Sequence, residues 1–172
     1  MKQIDLTNVE EASENKKLVP GGYIAKIIRV DDEADKEYLK ISFDIADGEY
    51  KGYYSDLFNA FSFWGGTFIK SYKEKALPFF KAFITAVENS NRNYKWDNDE
   101  KSLAGKFVGI VLGEEEYWSD KTAEVKTRLI VTSIRSIDSI KKGKFEIPDK
   151  KILKDKPSDE FTEVDDDDEL PF

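Results

Sequence analysis

The chain has no cysteine and no histidine. Thiolate nucleophiles, disulfides, imidazole bases and the usual zinc sites are excluded together. Long apolar runs are missing too. None approaches the roughly 20 residues needed to cross a bilayer, and the opening stretch, MKQIDLTNVEEASENKK, lacks the apolar segment of a signal peptide. These absences predict a soluble, cytoplasmic protein and no enzyme of the triad type. Carboxylate chemistry with magnesium stays open, and Asp97, Asp99, Glu100 and Glu114 to Glu116 are its candidates. Two-metal catalysis needs carboxylates converging from the fold interior, whereas these acids stand in runs that read as exposed loops. The expectation is no catalytic residue, no metal and no cofactor.

What is present is aromatic and charged. The 172 residues include 12 Phe, 8 Tyr and 3 Trp, enough for a packed core in one domain with appendages. The net charge of −8 is unevenly placed. Residues 155–172 hold nine acids and one lysine, so the other 154 residues balance at 26 basic and 26 acidic groups. Before that tail, residues 141–156 carry seven lysines in sixteen positions. Like-charge runs beside Pro, Gly and Ser rarely pack. The expected organisation is an N-terminal arm over 1–21, a folded domain over 22–138, a basic, mostly mobile linker over 139–154 with local docking by residues such as Phe145, and an acidic tail over 155–172.

Within the domain the hydrophobic period changes in a definite order. Residues 22–30 are rich in β-branched residues between Gly21-Gly22 and a charged turn, which predicts a first strand. Residues 37–46 alternate, with Leu39, Ile41, Phe43 and Ile45 on one face and Tyr38, Lys40, Ser42 and Asp44 on the other, a half-buried second strand. The Asp47-Gly48 turn leads to a predicted third strand at 50–58. Leu77, Phe80, Phe83, Ile84 and Val87 recur at spacings of three and four, a helical stripe in which Pro78 fits the first turn. Residues 106–112 and 122–138 return to strand character around a loop, GEEEYWSDK. Three strands, a helix and two strands is the order of the oligonucleotide-binding (OB) fold, a five-stranded Greek-key barrel with the helix between strands three and four. Another β-barrel or an α+β sandwich has the same count.

The last eight residues bear on that choice. Asp165, Asp166, Asp167, Asp168, Glu169, Leu170, Pro171 and Phe172 closely resemble the acidic tip of bacterial and phage single-stranded DNA-binding proteins, with Leu170 where Ile is usual. The resemblance implies an OB barrel that coats single-stranded DNA without strong sequence preference, often paired with a second copy. It also implies a tip that recruits replication, recombination or repair proteins. A terminal Phe with its carboxylate suits an apolar pocket flanked by Arg or Lys on a partner.

Gripping single strands needs rings for stacking and cations along the backbone. The expected contributors are Tyr38 and Lys40 on the second strand, Tyr53, Tyr54, Trp64, Lys70, Tyr72, Lys73 and Lys75 along the third strand and the approach to the helix, Trp118 in the last loop, and Lys126 and Arg128 on the fifth strand. Phe61 and Phe63 are expected in the core. A different reading makes the barrel a protein-binding module of a recombination accessory factor, with the tail as its adaptor.

Overall fold

The computed structural model describes residues 1–9 and 17–153; the expected acidic tail lies outside the described residues. Eight elements follow one another: β1 (Gly21–Glu33), β2 (Tyr38–Ile45), α1 (Tyr53–Phe61), β3 (Thr67–Ser71), α2 (Leu77–Ser90), β4 (Phe107–Ser119), β5 (Glu124–Arg135) and α3 (Ile137–Lys141), with short 3-10 turns at Ala34–Lys36, Glu74–Ala76 and Glu100–Leu103. The chain is mainly β. Its strands form one antiparallel sheet in the order β3-β2-β1-β4-β5, and the expected helix between strands three and four is α2. β3 and β5 are the edges. Some of their Cα atoms come within 8 Å, but no ladder joins them, so the sheet is open.

β2 follows its alternation. Leu39, Ile41, Phe43 and Ile45 are buried and their neighbours Tyr38, Lys40 and Ser42 are not. β1 is longer than the first expected strand and serves two partners, pairing over Gly21–Lys26 with β4 and over Ala25–Glu33 with β2. The register shifts between Ile27 and Arg29, a bulge that turns the strand between its partners and lets Ile27 face the core while Ile28 faces out. α2 takes Pro78 in its first turn, where no amide donor is needed, and buries Phe83, Ile84, Ala86 and Val87. Phe83 meets Phe68 of β3 edge-on at 5.9 Å between ring centroids, seating the helix on the inner face.

Two expected elements are different. Residues 50–58 are not a third strand. The chain turns through Gly52, which has a positive φ of 78°, and forms α1. The reason is distant in sequence. The Asp44 carboxylate, buried at the end of β2, accepts the amides of Tyr54 (2.9 Å) and Ser55 (3.2 Å) and the Ser55 hydroxyl, satisfying free donors at the helix start with an anion at its positive end. The third strand lies later, at Thr67–Ser71, paired with β2. Residues 113–119, expected as a loop, are strand. β4 and β5 form one long hairpin whose turn is confined to residues 120–123, with cross-strand pairs Glu115–Arg128 and Tyr117–Lys126.

The segment after β5 follows the sheet as far as Leu153. Gly22 and Gly109 make room for it: a Cβ there would overlap the Phe145 ring and Ile140 respectively. Further on, Lys151 donates its amide to Glu114 O (2.9 Å) and accepts from Glu116 N (2.8 Å), extending the ladder along β4.

Candidate nucleic-acid interface

The pairing register sorts the side chains of β1, β2 and β3 into two faces. On the face away from the core, rows run across the strands: Lys26 with Asp44, Arg29 with Ser42 and Thr67, Asp31 with Lys40 and Ile69, Glu33 with Tyr38 and Ser71. Phe107 of β4 extends the first row beyond Lys26. Lys26, Arg29, Lys40, Thr67, Ile69 and Phe107 are all exposed. Lys26 Nζ stands 5.9 Å from the centroid of the Phe107 ring. Arg29 is held by Asp31, Nε to Oδ1 at 2.8 Å, an exposed pair that costs little to open.

α1 and its exit loop border this face where β2 leaves it and β3 enters. Here Phe61 and Phe63, expected in the core, are 70% and 68% exposed, and Phe58 is 46% exposed. The helix directs its burial through Tyr54, whose ring lies edge-on to Phe43 at 5.4 Å, with Tyr53 half-buried beside it, while Phe58 and Phe61 face water. Trp64 is half-buried, its Nε1–H given to Gly66 O (3.1 Å) and its ring 6.1 Å from that of Phe58. Gly66 sits so close to Phe43 O and the Tyr54 ring that a Cβ would overlap both.

The expected site residues divide accordingly. Tyr38 and Lys40 are on the open face, and Tyr53 and Trp64 are half-buried at its α1 border. Tyr54 and Lys70 are interior, 7% and 3% exposed, so neither can meet a strand on this surface. Burial holds the Tyr54 phenol well above its usual range and pushes the Lys70 ammonium down to about 8. Tyr72 donates its hydroxyl to Asp32 (2.8 Å), which pushes its own ionisation up to about 12. Lys73 and Lys75 lie where the chain enters α2, Lys75 exposed. Lys126 and Arg128 share a face of the β4–β5 hairpin with Tyr117 and Glu115, as their spacing implies. Arg128 there binds Glu115 Oε1 at 2.6 Å, with its guanidinium 4.9 Å from the Tyr117 centroid. Trp118, opposite Val125, points to the other face of the hairpin. The partner-binding residues Asp165 to Phe172 lie outside the described residues.

Sequence reading missed Lys26, Arg29, Phe107 and the exposed phenylalanines. Lys26 and Arg29 sit in a strand that reads as apolar, and the adjacent Ile27-Ile28, which breaks the alternation, was the available signal of a bulge. A separate, mainly apolar groove of about 650 Å³ is lined by Leu39, Tyr72, Leu77, Phe80, Ile84 and Trp96, with Asp32, Lys81, Asn98 and Glu100 as its charged and amide groups. Among the described residues no three acids are grouped to hold a metal ion, and no helix is long and apolar enough to cross a membrane. Compared with known proteins, the sequence matches no family model and no curated protein.

Proposed function

We propose that the protein is a non-catalytic single-stranded DNA-binding protein of OB-fold type. It coats exposed strands during replication, recombination or repair and recruits enzymes through its acidic C-terminal segment. The observation that carries this reading is the strand order β3-β2-β1-β4-β5, with the two edges approaching and α2 between β3 and β4. That is the connectivity of a partly open OB barrel, whose strand two and three face takes oligonucleotides. On that face Lys26, Arg29 and Lys40 supply cations and Tyr38 and Phe107 supply rings, with Phe61 and Phe63 at its α1 border, for stacking at roughly 1 to 3 kcal/mol per base. The acids Asp31 and Glu33 on the same face keep the electrostatic share small, so base stacking carries more of the affinity.

Titrating the full chain with a thymidine oligomer and the matching duplex, followed by tryptophan fluorescence, tests this. Binding of the single strand in preference to the duplex is expected. No spectral change with the single strand at low salt removes the proposal; binding to a recombination enzyme without DNA would point to the adaptor reading instead.

A further inference from the structure

Beyond the sheet face, the connection from α2 to β4 closes a polar cleft of about 470 Å³ lined by Asn91, Arg92, Tyr94, Lys106 and Phe107 among others. Its floor is fixed. The Asn91 side chain accepts from Phe107 N (2.9 Å) and donates to Phe107 O and Val87 O (both 2.7 Å), while Lys106 O accepts from Ile27 N (2.8 Å). Two rings carry cations over their faces: Lys106 Nζ is 5.1 Å from the Tyr94 centroid and Lys26 Nζ is 5.9 Å from that of Phe107. Among the described residues no ion pair engages Lys26, Arg92 or Lys106. The nearby carboxylates Glu88, Asp97 and Asp99 act on the Tyr94 hydroxyl, which is tied to Ser102 Oγ at 2.8 Å, and the Tyr94 ring face is left to Lys106. Phe107 belongs both to this cleft and to the end of the open sheet face.

We infer that the cleft is a second nucleotide subsite, in which Arg92 and Lys106 each hold a backbone phosphate and Phe107 stacks a base on a single strand continuing from the sheet face. The inference rests on the function proposed above and adds to it a path: across β3, β2 and β1, over Phe107, and into the α2–β4 connection. Cations with no ion pair among the described residues, and the exposed Phe107 ring beside them, are the two things a single strand requires. A guanidinium offers phosphate a two-pronged contact and an ammonium a mobile point charge, so Arg92 orients and Lys106 attracts. The floor fixes the Phe107 backbone that carries the ring before the strand arrives, which lowers the ordering cost of binding.

The test uses the full chain and a thymidine oligomer of about 20 nucleotides, longer than the 4 to 16 that one such fold occupies. Arg92→Gln/Lys106→Gln is expected to weaken binding about tenfold and to make the slope of log K against log salt shallower by roughly 1.4, at about 0.7 per phosphate. Phe107→Leu, which keeps an apolar residue at the strand position, is expected to weaken binding about tenfold with the slope unchanged. Lys17→Gln/Lys81→Gln, which removes two charges elsewhere, leaves the slope as in the parent. Should the double variant lose its cooperative unfolding, Arg92→Gln alone, at an exposed position, reads half the slope change. If the parent binds and the cleft variants behave like the control pair, the subsite is overturned and the sheet-face reading stands. If the parent binds no single strand, both fall together.

Discussion

Lys70 sets charge against burial more sharply than any other described residue. It lies on the inner side of β3, 3% exposed, opposite Leu39, and desolvation pushes its pKa from 10.5 to about 8. Between these values the unfolded chain holds more protons than the folded one, so this residue makes stability rise with pH across that window. The rise is on the order of 3 kcal/mol, since each pKa unit is worth about 1.4 kcal/mol. Lys70→Met removes the charge at similar volume. We expect the variant to be more stable than the parent at pH 7 and the difference to shrink steadily from pH 8 to 10.5, read from denaturant midpoints. A constant difference would mean that Lys70 stays charged in the folded chain. Tyr72 acts in the opposite sense in a higher window. Its phenol, raised to about 12 by the Asp32 hydrogen bond, contributes stability that is complete below pH 10 and lost as pH climbs towards 12. The difference between Lys70→Met and the parent cancels this, because both carry Tyr72.

Asp44 is the other buried charge, and it is fully used. Its carboxylate satisfies the amides of Ile45, Tyr54 and Ser55, so Asp44→Ala leaves donors at the α1 start without an acceptor. The expected loss is about 3 kcal/mol, at the upper end for a charged partner of buried amides. Denaturant unfolding measures it, and Asp44→Asn, which keeps one acceptor oxygen, should recover part of it.

At the scale of elements, close approach at glycine decides which segments stay together. At Gly66 a methyl group would meet the carbonyl of Phe43, whose amide donates to Gly66 O just beyond the β2–β3 pairing, and the Tyr54 ring that anchors α1. Backbone cannot yield as a side chain can, so Gly66→Ala is expected to cost about 2 kcal/mol or more in global unfolding. At Gly22 the obstacle is the far end of Phe145, which can swing away. Gly22→Ala should therefore leave global stability nearly intact and loosen residues 142–153, seen as faster proteolysis at Lys144, Lys150 and Lys151. Equal proteolysis rates for variant and parent would show that Phe145 does not hold the segment. These elements also mark what the sequence could and could not disclose. β2 and α2 were legible because alternation, the three-four stripe and Pro78 are local signals. α1 was not, because its start is capped by Asp44, ten residues away, while its tyrosines and phenylalanines carry strand preference. The outer half of β4 was not, because a glutamate run becomes strand only when Arg128 stands opposite Glu115, Lys150 pairs with Glu116 and the Lys151 backbone bonds along the strand. For the candidate site, Tyr38 and Lys40 could be placed by parity. Lys26 and Arg29 required the bulge, and Phe107 required the β1–β4 register.

For the whole molecule, the division of charge would govern how a strand approaches the proposed binder. The first 154 residues balance, so steering towards nucleic acid depends on the local cations Lys26, Arg29, Lys40, Arg92 and Lys106, and the −8 of residues 155–172 opposes it at long range. Removing residues 155–172 from the proposed binder is therefore expected to speed association with a thymidine oligomer several-fold at about 0.01 M salt, where charges act over roughly 30 Å. The gain should vanish near 1 M salt, where that reach falls to about 3 Å. Dissociation, set by stacking and short-range contacts, should change far less than association. Stopped-flow fluorescence across the salt series separates the two. A gain in association that persists at high salt would assign the effect to direct occupation of the sheet face by the acidic segment, and equal rates at low salt would show that the tail's charge does not reach the approaching strand.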